Sequence, residues 1–87
     1  MAILHFKIIT PERVVLAADV DQASFMTTTG EITVLPHHIP LVTVLKPGEL
    51  RYKKNGEEQS VALAGGFAEV RQDQVMILTD ASLMGKS

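Results

Sequence analysis

The 87-residue sequence predicts an all-β fold: one domain over residues 1–87, an antiparallel two-sheet sandwich of short strands. Three observations predict it. Apolar and polar residues alternate with period two along most of the chain. Turn signals recur at short spacing, the sharpest being Asn55-Gly56. No window keeps a helical period for three turns. A second domain would leave neither half a workable core, and a domain of this size buries roughly 60–65% of the surface its extended chain exposes. Its stability alone is modest, so a bound partner adds to it.

The elements follow in order. Leu4, Phe6 and Ile8 fall on one face of an opening strand, with His5 and Lys7 on the other. Thr10-Pro11-Glu12 breaks it. Thr10 to Ala18 is the least strand-like segment and admits a single helical turn. Val20 to Phe25 reads as a second strand leading into the polar run Thr27–Gly30. From Gly30 to Gly48 an apolar run is interrupted by Pro36, Pro40 and Pro47. Each proline fixes φ, removes a donor and turns the preceding residue away from helix. This stretch therefore predicts two short strands joined by a stiff, protruding loop. Lys46-Pro47-Gly48 is a turn signal. Leu50 to Lys54 and Gln59 to Leu63 flank Asn55-Gly56, a pair suited to a type I′ hairpin turn. Gly65-Gly66 marks a bulge or a close backbone approach. Phe67 to Val70 and Val75 to Thr79 then flank Arg71–Gln74 as a looser hairpin. With only Phe6, Phe25, Phe67 and Tyr52 as aromatics, the core between the sheets is aliphatic.

Composition narrows the function. Apolar residues at 46% with 21% charged describe a globule rather than a disordered chain. With no cysteine, disulfides, thiolate zinc sites and cysteine nucleophiles are excluded. Net charge is −2, and the basic cluster Arg51, Lys53 and Lys54 is answered by Glu57 and Glu58, so no nucleic-acid partner is expected. The longest apolar run, Val14–Ala18, is far short of the ~20 residues that span a bilayer. The N-terminus carries no leader pattern.

Catalytic patterns are sparse. Ser24, Ser60, Ser82 and Ser87 lie outside any strand–turn–helix elbow. Adjacent residues of an extended chain point to opposite faces, so His37 and His38 do not converge on one proton or metal. His37 reads as an exposed loop side chain. His38 reads as bonded within its loop or lying on a partner surface. His5 reads as ordinary exposed sequence. The carboxylate pairs Asp19/Asp21 and Glu57/Glu58 read as solvated strand and hairpin charges. Asp19 and Asp21 share a strand face, but so short a chain leaves little room for the cleft that paired acids need. Gly65-Gly66 lacks the Lys and Ser/Thr of a phosphate loop. Neither catalytic residues nor a cofactor or metal is expected.

The run Gly30-Glu31-Ile32-Thr33-Val34-Leu35-Pro36-His37-His38-Ile39-Pro40-Leu41, followed by Leu45-Lys46-Pro47-Gly48, resembles the epsilon-subunit family of the F-type ATP synthase. The family pattern is glycine-glutamate, a short apolar run, proline, a small residue, histidine, any residue, proline and leucine, then lysine-proline-glycine. The Pro-Glu turn after the first strand, Gly65-Gly66 and the closing Val75–Ala81 agree with it, so the resemblance covers essentially the whole chain. His37 departs from it, standing where the family usually has glycine or asparagine. Histidine lacks glycine's freedom at φ > 0, so the loop is expected to sit differently. The sequence stops at Ser87, before the α-helical hairpin with which family members generally continue. Helix-mediated inhibition and ATP binding are therefore not expected of these residues.

The resemblance implies a non-catalytic central-stalk subunit that links the gamma subunit to the c-ring and helps couple rotation to ATP synthesis. By carry-over, Gly30 and Glu31 form the c-ring-facing tip, and His38 with Thr43 lies on the gamma-facing side. The expected location is peripheral, on the cytoplasmic face of the bacterial inner membrane or the stromal side of the thylakoid. Membrane contact there is indirect, through the ring. An interaction subunit studied alone is expected to expose an apolar patch. The alternative is a free-standing β-sandwich module that binds a peptide or ligand through the Pro36–Pro40 loop. A small hydrolase is a third class, which would require turnover that depends on His38.

Overall fold

Leu4, Phe6 and Ile8 are fully buried while His5 and Lys7 are exposed, so the opening alternation folds as read, into strand β1 (Leu4–Ile9). The computed structural model describes residues 3–37, 40–80 and 82–84. The strands that follow are β2 (Val14–Val20), β3 (Gln22–Thr27), β4 (Gly30–Val34), β5 (Leu41–Leu45), β6 (Gly48–Lys54), β7 (Glu57–Leu63), β8 (Gly66–Val70), β9 (Gln74–Leu78) and β10 (Ser82–Met84). The described residues contain no helix.

The strand order is β10-β7-β6-β3-β5-β8-β9-β1-β2, with β4 beside β3. Between β3 and β5 the ladder narrows to one residue pair, Thr27 with Leu45, and there the sheet folds over. One layer is β10-β7-β6-β3-β4 and the other β5-β8-β9-β1-β2. Inward side chains of both layers close the core: Phe25, Val34, Leu50 and Val61 from the first, and Leu4, Phe6, Ile8, Val70, Val75 and Ile77 from the second. Phe6 and Tyr52 meet across the layers, with ring centroids 5.2 Å apart.

Asn55 and Gly56 take φ of 54° and 81°, the left-handed pair that a type I′ turn requires, and β6 and β7 stay in register up to it. Gly65-Gly66 marks a close backbone approach: a Cβ on Gly66, at φ 133°, would run into the carbonyl oxygen of Leu78. The proline-rich stretch gives the two expected strands, β4 and β5, but they do not pair with each other: β4 lies along β3, and β5 lies along β8 with a single pair to β3.

Several features differ from the sequence reading. Thr10–Ala18 contains no helical turn among its described residues. Thr10 and Arg13 exchange backbone hydrogen bonds of 2.9 and 3.3 Å across a tight turn, and Val14 starts a strand. The β1–β2 register shifts between Ile8 and Ile9, leaving Val15 as an extra residue that breaks the alternation. Asp21 divides what the sequence joins as Val20–Phe25, its N–H donating to the Lys53 carbonyl at 2.7 Å. Finally, β1 and β9 pair in parallel, while every other pair among the described strands is antiparallel.

Candidate functional site: an exposed apolar sheet face

Residues paired across neighbouring strands stand side by side on the same face of a sheet. On the outer face of the second layer one such row runs Val44–Phe67–Leu78–Ile9–Val14 across β5, β8, β9, β1 and β2. The next row runs Val42–Glu69–Met76–Lys7–Ala17. Val42 is 70% exposed, Phe67 52% and Val14 53%, and Val44 and Leu78 are exposed as well. At one end of the face a hollow of about 310 Å³ opens between Ile9, Pro11, Phe67 and Leu78, with Asp80 at its rim. A monomer seldom leaves so many large apolar side chains contiguous, and such a patch marks an interaction surface.

The outer face of the first layer is mainly polar, although Met26, beside Glu31, is exposed on it. Ser24 and Thr33 hydrogen-bond at 2.9 Å. Arg51 pairs with Glu31 and lies 3.7 Å from Glu58. The hydrogen bond and charge of Glu31 hold the Arg51 guanidinium above its already high ordinary pKa. Glu31 is therefore an engaged carboxylate. The two outer faces therefore differ in character, one apolar and one mainly polar.

Of the site residues read from sequence, Gly30 and Glu31 open β4 just after the β3–β4 turn. The buried Thr27 hydroxyl braces that turn, donating to the Gly30 carbonyl at 2.6 Å and accepting from the Thr29 N–H at 3.2 Å. The Thr28 N–H donates to the Val44 carbonyl at 3.2 Å, so the hairpin tip abuts the end of the apolar row. Thr43 is half-buried on the inward side of β5, with Leu41 and Leu45, while Val42 and Val44 point outward. His38 lies outside the described residues. His37 corrects an expectation: it takes φ 70° despite its side chain. Its N–H donates to the Gln72 carbonyl at 2.6 Å, and that bond to the β8–β9 turn offsets the cost of a left-handed residue.

The other candidate groups are dispersed. Asp21 accepts from the Gly56 N–H at 3.1 Å and secures the Asn-Gly turn. Asp19 pairs with His5 at 2.7 Å across β1 and β2, so His5 has a partner that the sequence reading did not give it. Among the described residues, no three of His, Asp and Glu gather where a metal ion could be held.

Sequence reasoning missed the apolar row, though a signal for it exists. Leu41–Leu45 and Val75–Leu78 are apolar on both faces, and a two-layer sandwich can bury only one face of each strand.

The fold defines a β-sandwich domain with an exposed apolar face. The chain belongs to the family described as ATP synthase, Delta/Epsilon chain, beta-sandwich domain, whose model matches residues 3–85. It is 49% identical over 77 residues to an ATP synthase epsilon chain of Chloroflexus aggregans, covering 88% of this chain and 55% of that one. To the epsilon chain of Halalkalibacterium halodurans it is 48% identical over 82 residues, covering 94% and 62%. The chain thus spans little more than half the length of these relatives. Its fold superposes with a TM-score of 0.90 on a chain in the Euglena gracilis mitochondrial ATP synthase OSCP/F1/c-ring structure, at 26% identity and covering 97% of this chain and 54% of that one. A chain of the Tetrahymena thermophila central stalk/c-ring structure shares the fold, with a TM-score of 0.78 at 15% identity.

Proposed function

We propose that this domain is a non-catalytic rotor element of a proton-translocating F-type ATP synthase, linking the gamma subunit to the c-ring so that rotation is coupled to ATP synthesis. The observation that carries the reading is the five-strand apolar row Val44–Phe67–Leu78–Ile9–Val14 on a domain whose relatives are ATP synthase epsilon chains. In this reading the row seats on gamma. Thr43 contributes from within β5, beneath Val42 and Val44, and His38 belongs to the same side on the family resemblance alone. The braced tip with Gly30 and Glu31 meets the polar loops of the ring, where Glu31 presents its charge together with Arg51. The domain then sits peripherally, on the cytoplasmic face of a bacterial inner membrane, and touches the membrane only through the ring.

Titration of the folded chain with purified gamma subunit tests this. The expected result is a saturable complex with the apolar row protected from solvent. A folded chain that gamma does not bind would sink the proposal. Saturation by a peptide at the Pro36–Pro40 loop, undiminished by excess gamma, would favour a free-standing ligand-binding module instead.

A further inference from the structure

Strand β2 (Val14–Val20) is hydrogen-bonded on one side only: among the described residues it pairs with β1 and with no other strand. The direction of its free groups follows from one bond. His5 donates its N–H to the Asp73 carbonyl at 2.8 Å, towards β9 and away from β2. In an antiparallel ladder the residue opposite one so turned is itself turned outward. Asp19, opposite His5, and Ala17, opposite Lys7, therefore project N–H and C=O off the free side of the sheet.

Natural sheets guard such an edge with charged residues, proline, a β-bulge or a covering segment. Strand β2 carries neither lysine nor proline; its guards are the bulge at Val15 and the charge of Asp19, and between them Leu16, Ala17 and Ala18 are apolar. The inward side is unfinished as well. Leu16 and Ala18 are only half-buried, while Ile8 and Phe6, their neighbours on β1, are fully buried.

We propose that the outer edge of β2 is a strand-addition site, filled by an extended segment of the same gamma subunit that covers the apolar face. This rests on the docking reading above. Val14 ends the apolar row and also begins β2, so a subunit seated on the row reaches the edge without a break. A second copy added edge to edge would leave both apolar faces bare. The segment that fits is about five residues long. Its alternate apolar side chains cover Leu16 and Ala18, and it places no acidic residue beside Asp19.

Amide exchange in the free chain and in its complex with purified gamma tests the proposal, with the Val42 and Val44 methyl signals reporting the face separately. Strand addition slows exchange at Ala17 and Asp19 at least ~100-fold in the complex. Methyl shifts with unchanged edge amides would overturn strand addition and leave the docking reading standing. Methyls and amides both unmoved by gamma would overturn both. Edge protection that grows with concentration in the chain alone would assign the edge to a second copy. Ala17→Pro removes an outward N–H and no ladder bond, and is expected to weaken gamma binding about 10-fold. If Ala17→Pro does not fold, Ala17→Lys, an edge guard of the natural kind, is expected to weaken binding in the same sense. Wild-type affinity in a folded variant of either kind contradicts the proposal.

Discussion

Gly66 is where a single atom matters most. At φ 133°, with the Leu78 carbonyl in the space a Cβ would take, Gly66→Ala combines backbone strain with a clash against immobile backbone. It is expected to cost more than about 2 kcal/mol of stability, measured by urea unfolding. His37 is the opposite kind of site. Its left-handed backbone is held by the bond to Gln72, so His37→Val, which puts a β-branched residue there, is expected to destabilise by about 1–2 kcal/mol. Equal stability of that variant and the wild type would show that the loop relaxes to φ < 0. The sequence identified position 37 as unusual, but the bond that settles its conformation comes from residue 72, which no local reading supplies.

The hairpins show how far local chemistry carries at the scale of an element. Asn55-Gly56 could be read directly, because its turn geometry depends on two adjacent residues and little else. The β3–β4 tip depends on a side chain that turns inward. Thr27→Val keeps the shape but removes the hydroxyl's bond to the Gly30 carbonyl and its bond from the Thr29 N–H. A loss of about 1–3 kcal/mol is expected, with faster exchange at the Thr29 amide; an unchanged Thr29 rate would mean that the tip is braced elsewhere. Two elements escaped the sequence for physical reasons. The bulge at Val15 breaks the alternation that would have marked β2 as a strand. The parallel pairing of β1 with β9 joins segments nearly a whole chain apart, and such pairing leaves no local signature. Strand β10, paired with β7, also went unread.

For the whole molecule, the important property is the asymmetry of its two outer faces. The family was legible in sequence because Gly30–Gly48 carries several motifs in order. The docking face was not, because its members Val44, Phe67, Leu78, Ile9 and Val14 come from five strands and meet only through the register. The core beneath is shared by both layers. Phe6→Ala is expected to cost about 3–5 kcal/mol and, in so small a domain, to leave little folded chain. Exposed positions on the row carry no such cost, so they can be changed to test docking alone.

The most direct test compares gamma binding by Phe67→Glu, in the middle of the row, with binding by Thr33→Glu on the polar outer face, both confirmed folded. The account predicts that Phe67→Glu weakens binding at least ~30-fold, since it buries a charge at the centre of an apolar contact, while Thr33→Glu stays near wild type. Undiminished binding by folded Phe67→Glu would contradict the assignment of this face to gamma.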